Sequence, residues 1–400
     1  MNFLCISCYF KGAPFLKACK AAGNTVFLLT RESLKNEPWP WDSIDETFYT
    51  NTDANTPEHF SNLIKGMAYL MKEKKIDRIV ALDDFDVEKA AMLREEFRLP
   101  GMGQTTARHF RDKLAMRMKA KEAGINVPPF AHLFTDDSIN QFIAETSSPW
   151  VVKPRGEASA TGISKVHTGE ELWQVVHNLG EKRHEYLVEQ FKAGSVYHAD
   201  ALSVDDKVVF CRGSQYLSTP MEVAHGGGIF RSVIVPFNGK DDKQIQKETA
   251  KVMKAFGMKF SASHTEFIKS DEDGKFYFLE TSSRVGGAHL AEMVEASSGI
   301  SLWAEWAKIE DAMSRDESYK VPKAEKKYAG ILVSLSRYQR PDMSVFDDAE
   351  VVWKINKDYH VGMIVKSDRR ERVLELLDKY AQIVGKDFHA SAPAPKKSAH

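Results

Sequence analysis

Long apolar runs are missing from this chain. No stretch approaches the roughly 18–20 residues that a membrane span needs, which argues against a transmembrane helix. A charge of one sign is missing as well. Lys and Arg total 55 against 56 Asp and Glu, a formal net charge of -1, so nothing draws the whole molecule to nucleic acid or to an anionic membrane. Cysteine is scarce: there are four, Cys5, Cys8, Cys19 and Cys211. Cys5 and Cys8 have redox or zinc spacing, but no second pair accompanies them. Both fall in a strand-like segment, which favours a buried structural role, and no disulfides are expected. The glycine fingerprint of dinucleotide sites is absent, since Tyr9 to Ala13 after the first strand holds one glycine, Gly12; a nicotinamide enzyme is disfavoured. No basic leader precedes Phe3, so the expected location is cytoplasmic. What remains is a chain of 400 residues, 43% hydrophobic and 28% charged, an ordinary globular composition large enough for about two to four domains.

Short apolar segments, Phe3 to Cys8, Thr25 to Leu29, Glu46 to Tyr49 and Arg78 to Leu82, alternate with helical ones such as Pro14 to Ala22 and Pro57 to Lys74. That is the pattern of an open parallel α/β domain. Asp83 and Asp84 close its fourth strand as a helix N-cap or as groups facing a ligand. A helix is expected from Thr105 or Thr106 to Gly124, with Phe110, Leu114 and Met118 on one face and Lys113 between them. Trp150 to Pro154 reads as a strand leading into a loop of small residues, Arg155 to Ile163, whose amides can approach phosphate oxygens while Lys153 supplies a charge. Tyr186 to Phe191, Ala199 to Val204 and Lys207 to Arg212 read as further strands. Gly213 to Arg231, with His225 to Gly228 inside it, reads as a long functional loop. Asp241 to Phe256 is an amphipathic helix. Tyr328 to Ser336, Ala349 to Ile355 and His360 to Val365 are strands of a closing unit with a helix from Arg370 to Val384, and His389 to His400 reads as a disordered tail.

The most informative stretch is His264-Thr265-Glu266, followed after a hairpin by Glu280 to Gly287. Ser261 to Lys269 and Lys275 to Glu280 read as strands joined by Ser270 to Gly274. Alternation puts His264, Glu266 and Ile268 on one face and Glu280 in phase with Phe276 and Phe278. If the two faces coincide, a carboxylate pair forms, and such a pair suits a cation held together with substrate phosphates. The alternative reading of each Glu is an exposed charge at a strand end. Gly286 and Gly287 open a helix from Ala288 to Ser298 whose first amides suit an anion, although Leu290, Met293 and Val294 give that helix a packing reason too.

In this order the pieces resemble the ATP-grasp superfamily, most closely the ADP-forming carboxylate-amine ligases that join amino acids. The resemblance rests on Lys113 in its helix, Lys153-Pro154 with the loop after it, the hinge at Val188 to Phe191, and Glu266, Glu280 and Arg284. It implies an α/β and α+β protein with the ATP-grasp fold. A pre-ATP-grasp α/β domain would occupy 1–104, a small lid subdomain 105–192, a large subdomain with the metal site 193–325, a small C-terminal α+β unit 326–388 and a tail 389–400. It further implies ATP as cofactor with magnesium, or manganese in its place. Lys113 and Lys153 would contact phosphates, Ser159 and Gly162 would lie in the lid loop, and the backbone of Glu189, Gln190 and Phe191 would meet adenine. Glu266 and Glu280 would hold the metal, and Arg284 would neutralise the acyl phosphate. On the substrate side stand His225, Gly226, Arg231, Gly286 and Gly287. The partners implied are a small carboxylate and an amine, with a homodimer allowed and no nucleic acid or membrane.

Two departures keep rivals open. Ser282 stands where many relatives place Asn as a metal ligand. Val196 stands where an acidic residue often meets ribose, leaving Tyr197, His198 or Asp200 as substitutes. The rivals are carboxyphosphate chemistry, as in the biotin carboxylases that the closing unit also resembles, and a catalytically silent ATP-binding protein.

Overall fold

The computed structural model describes residues 1–52, 54–157, 161–219, 223 and 227–391. Three sheets organise it. The first holds β1 (Asn2–Ile6), β2 (Thr25–Arg31), β3 (Glu46–Thr50) and β4 (Arg78–Ala81), all parallel in the order β3-β2-β1-β4. Its strands are apolar on both sides, as a sheet covered on both faces requires. Phe3 and Cys5 pack with Phe15, Leu16 and Cys19, and Leu4, Ile6 and Cys8 pack with Met67, Ala90 and Leu93. Cys5 and Cys8 therefore sit in different cores, and no disulfide joins any of the four cysteines.

The second sheet is antiparallel, β5 (Phe130–His132), β6 (Trp150–Pro154), β7 (Ser164–Val166) and β8 (Tyr186–Gln190), in the order β5-β8-β6-β7. The third runs through β9 (Gly194–Val204), β10 (Lys207–Tyr216), β11 (Phe230–Ile234), β12 (Ser261–Ser270), β13 (Phe276–Ser282), β14 (Tyr328–Leu335), β15 (Val351–Lys354) and β16 (His360–Ser367). Its order is β13-β12-β9-β10-β11-β14-β16-β15, so the closing unit continues the same sheet through the β11–β14 pairing. The helix Lys240–Phe256 covers one face with Ile245, Val252, Met253 and Phe256, and the helix Arg370–Ile383 packs Val373, Leu376, Leu377 and Tyr380 on the later strands. Among the described residues no helix is long and apolar enough to cross a membrane.

Several expected elements differ. The helix expected up to Gly124 is two helices, Gln104–Arg108 and Lys113–Glu122. Asp112, extended between them, accepts the amides of Leu114 and Ala115 at 2.9 and 3.3 Å, and that N-cap stabilises the break. Phe110 and Leu114 are buried, whereas Met118, one turn beyond Leu114 in the same helix, is 60% exposed. The helix after Gly287 starts at Leu290, because Ala288 and His289 adopt left-handed backbone at φ 51° and 60°. His389 does not begin the tail: it pairs with Ser336, and its Nδ1 lies 2.8 Å from Ser334 Oγ. Residues 392–400 lie outside the described residues.

β9 lies so close to β12 at its start that a Cβ on Gly194 would come 2.0 Å from the carbonyl oxygen of Lys269. No rotamer relieves a clash with backbone. Gly194→Ala is therefore expected to cost more than about 2 kcal/mol, read as a drop in the urea unfolding midpoint, whereas Gly66→Ala, with open space at its Cβ, should be neutral or stabilising.

Candidate active site

The two glutamates meet because β13 carries one extra residue. Phe267 pairs with Phe278, and the next rung pairs Glu266 with Glu280, so Leu279 is bulged out of the register. The bulge corrects the expected phase: Phe276 and Phe278 pack with Phe267 on the face opposite Glu280, while Glu280 shares the face of Glu266. Directly opposed residues hold their Cβ atoms about 4.5–5.5 Å apart, and two carboxylates at that spacing repel unless a cation intervenes. The pair thus fits a divalent ion.

Lysines approach from two other elements. Lys113, first residue of its helix, lies with Nζ 2.9 Å from Glu280 Oε2 and donates to the carbonyl of Glu157 at 2.6 Å. Lys153, on β6, lies 2.5 Å from Glu189 Oε1 on β8. Burial lowers the Lys153 ammonium to about 8, against the opposing pull of Glu189. For the Glu280 carboxyl, burial is outweighed by Lys113 and its pKa falls below the usual range.

Arg117 escaped the sequence reading although it lies four residues beyond Lys113, one helical turn on the same side. Its fully buried guanidinium donates from Nε to Glu189 Oε2 at 3.0 Å and from Nη1 to the carbonyl of bulged Leu279. It thereby ties the second sheet to the bulge that sets the glutamate pair. Glu189, expected as backbone of an adenine hinge, uses its side chain as the shared anion of Lys153 and Arg117. The hinge amides are engaged as well: Gln190 N–H donates to the carbonyl of Pro129 at 2.8 Å and Phe191 N–H to that of Pro149 at 2.9 Å. Those two donors serve the fold.

Arg284 follows β13 and reaches across to the first sheet, where Nε donates to Asp84 Oδ2 at 2.9 Å and Nη1 to the carbonyl of Val285 at 2.8 Å. Burial would raise the Asp84 carboxyl, but Arg284 and Arg111 hold it well below the ordinary range. Asp83 caps the turn that follows, accepting from Phe85 N–H at 3.1 Å, and lies 2.6 Å from Lys11 Nζ. Gly286 lies against Asp200, and Gly287 follows it ahead of the helix.

Other sequence candidates fall elsewhere. Arg231 is corrected: it sits on β11 with Nη1 2.7 Å from Asp378 of the C-terminal helix, because alternation gives the opposite face to Ser232, which contacts His198. Tyr197, 3.4 Å from Asp241, and the buried His198 and Asp200 are likewise not placed as free ribose ligands. Gly162 turns the chain back over Pro154 at φ 72°. Ser159, His225 and Gly226 lie outside the described residues. A cavity of about 700 Å³ lies apart from these groups, between β3 and the helix Pro57–Leu70, but no Lys or Arg lines it and a polyphosphate would find no counter-charge there.

Solved structures share this architecture. The L-amino acid ligase from Bacillus licheniformis superposes with a TM-score of 0.74 at 18% identity, covering 97% of this chain and 98% of that one. The N5-carboxyaminoimidazole synthetase from Staphylococcus aureus gives 0.71 at 14%, covering 95% and 96%. The chain has the ATP-grasp fold. The family model described as D-ala D-ala ligase C-terminus matches residues 120–286 of this ATP-grasp chain, the stretch from just after Arg117 to Gly286. The L-arginine-specific L-amino acid ligase of Bacillus subtilis is 27% identical over 243 residues, 59% of this chain and 58% of that protein. The D-alanine–D-alanine ligase of Prosthecochloris aestuarii is 25% identical over 52% of this chain and 62% of that protein. The chain thus spans less than two thirds of the length of these curated relatives.

Two predictions follow from the ATP-grasp geometry. Arg117→Met leaves Glu189 buried with one cation fewer, so it is expected to lower unfolding stability by roughly 3–5 kcal/mol, and Arg117→Lys should not restore it, since an ammonium lacks the fork that spans Glu189 and Leu279. For Asp112, burial is outweighed by Arg155 and the helix amides, and its pKa is lowered. A depressed carboxyl stabilises the fold above its unfolded pKa and stops doing so as pH falls through the folded value. The melting-temperature gap between wild type and Asp112→Asn should stay constant above about pH 5 and close below about pH 4, near the unfolded carboxyl value.

Proposed function

We propose that this protein is an ADP-forming carboxylate-amine ligase that activates the carboxyl group of an amino acid or similar small acid by phosphorylation and joins it to an amine. One observation carries the reading: a lysine from one helix, Lys113, and a carboxylate of the opposed glutamate pair, Glu280, meet at 2.9 Å, and Lys153, paired with Glu189, lies near enough for its charge to act on Glu280. Cations suited to phosphate and carboxylates suited to a divalent ion therefore share one locus. The ligase relatives and neighbours support the same class.

A carboxylate is a poor electrophile because oxide is a poor leaving group. Attack of its oxygen on the γ-phosphorus of ATP breaks the bond to the β-bridging oxygen, whose electron pair leaves with ADP. The amine nitrogen then attacks the acyl carbon, the bond to phosphate breaks, and the nitrogen loses a proton. Such chemistry asks the protein for positioning and positive charge more than for a nucleophile. Lys113 and Lys153 would exchange Glu280 and Glu189 for phosphate oxygens. Arg284 would exchange Asp84 for the acyl phosphate. Glu266 and Glu280 would hold magnesium or manganese, which when bound supplies charge neutralisation for the transferring phosphoryl group.

The test is incubation with ATP, magnesium and paired amino acids. Phosphate and amide should appear in equal amounts for at least one pair, and Arg284→Ala should lower the rate on the order of a hundredfold to a thousandfold. Phosphate release without amide in every combination would refute the ligase reading. Stimulation by bicarbonate alone would favour carboxyphosphate chemistry.

A further inference from the structure

We infer that Tyr216, His264 and Asp200 are positioning residues that fix the Glu266 carboxylate through a hydrogen-bond lattice buried in the third sheet. The inference rests on the ligase reading, in which Glu266 and Glu280 hold the divalent ion.

The lattice follows from register. On β12 and β9, Glu266 pairs with His198 and His264 with Asp200, and Tyr216 and Ser232 come from β10 and β11 on the same face. The Tyr216 hydroxyl donates to Glu266 Oε1 at 2.8 Å, and His264 Nε2 lies 3.5 Å from the same oxygen. His264 is held in turn, its Nδ1 2.9 Å from Asp200 Oδ1. The second Asp200 oxygen meets His198 Nδ1 at 2.8 Å, and His198 Nε2 meets Ser232 Oγ at 2.7 Å. Asp200, His198 and Ser232 are wholly buried.

Location separates this lattice from a general structural device. One rung further along the same face, Ile268 pairs with Val196 in an apolar cluster that takes in the Tyr216 ring. From that rung the Tyr216 hydroxyl and Ser232 Oγ reach back to Glu266 and His198, so the polar contacts gather at the Glu266 end of the face. Buried polar networks are costly unless complete, and apolar residues of similar volume would hold the sheet as well. The segment after Glu280 closes on the same groups, since a Cβ on Gly286 would come 2.6 Å from Asp200 Oδ1 and 3.0 Å from His264 Nδ1. A carboxylate gripped through one oxygen presents the other in a fixed direction, as groups behind a metal ligand do.

His198, Asp200 and His264 bring potential ligand atoms within 4.8 Å of one another. Each imidazole nitrogen facing Asp200 already stands at hydrogen-bond distance, so protons satisfy the set without a cation.

The experiment measures Mn2+ binding by electron paramagnetic resonance, with ATP present, for wild type, Tyr216→Phe and Asp200→Asn, beside melting temperatures and the metal content of the purified protein. Tyr216→Phe keeps the ring and removes one hydroxyl. It should melt close to wild type yet bind Mn2+ about tenfold to a hundredfold more weakly, and Asp200→Asn, where it folds, should weaken binding in the same direction. Undiminished Mn2+ affinity in Tyr216→Phe, with wild type binding normally, overturns the inference and leaves the ligase reading intact. Failure of wild type itself to bind Mn2+ with ATP sinks the ligase reading. A stoichiometric metal in ATP-free protein that His198→Gln removes overturns the inference in favour of a separate ion site.

Discussion

The arrangement depends on one buried guanidinium. Arg117 is fully enclosed, and it joins the side chain of Glu189 on β8 to the carbonyl of Leu279 in the β13 bulge. A carbonyl displaced from a sheet ladder needs a donor, and a buried guanidinium needs an anion. Arg117 is the donor for that carbonyl, and Glu189 is its anion. With Leu279 bulged, Glu280 faces Glu266; in an unbroken ladder, alternation would leave Glu280 on the face of Phe276 and Phe278. The same contact fixes Glu189, and through it Lys153. A single side chain thereby sets the relation between the second sheet and the third.

Charge is organised on the same plan throughout the site. Lys113, Lys153 and Arg117 share two carboxylates, Glu280 and Glu189, and Arg284 is matched to Asp84. Cations left unpaired in so enclosed a place would carry a large desolvation cost. Each of these cations is therefore matched to an acidic side chain. The match at Asp84 is incomplete, since its Oδ1 is buried without a hydrogen-bond partner. That carboxylate lies in the turn after β4 and Arg284 in the segment after β13, so displacing it alters a contact between the ends of the first and third sheets.

Sequence patterning reached the elements whose signal is local. β6 appears where Trp150 to Pro154 are apolar, the helix Lys240–Phe256 has its expected buried face, and the β12–β13 hairpin joins where Ser270 to Gly274 turns. That the hairpin brings Glu266 and Glu280 together was legible from residue type, spacing and order, although the bulge that opposes them was not. Arg231 was misread for a stated reason: a loop and the strand after it look alike in a glycine-rich stretch, and one residue of phase decides between the site and the C-terminal helix. The break at Asp112 was missed because a periodic apolar pattern continues across it. The bonds of the Gln190 and Phe191 amides were not legible, because backbone donors carry no sequence signature and their partners, Pro129 and Pro149, are distant in the chain.

Arg117 shows a different limit. Its position one turn after Lys113 was visible, yet a lone arginine inside a lysine-rich helix reads as a solvated charge. Its meaning comes from two features that local patterning does not reveal, a bulge produced by register and a glutamate on another sheet. Position and charge type can nominate a cation, but burial and its partners show whether it is committed to the scaffold. Lys113 keeps some contact with solvent, whereas Arg117 keeps none. On that difference the lysine has room to change partners, whereas the arginine is committed to Glu189 and to the Leu279 carbonyl that sets the bulge.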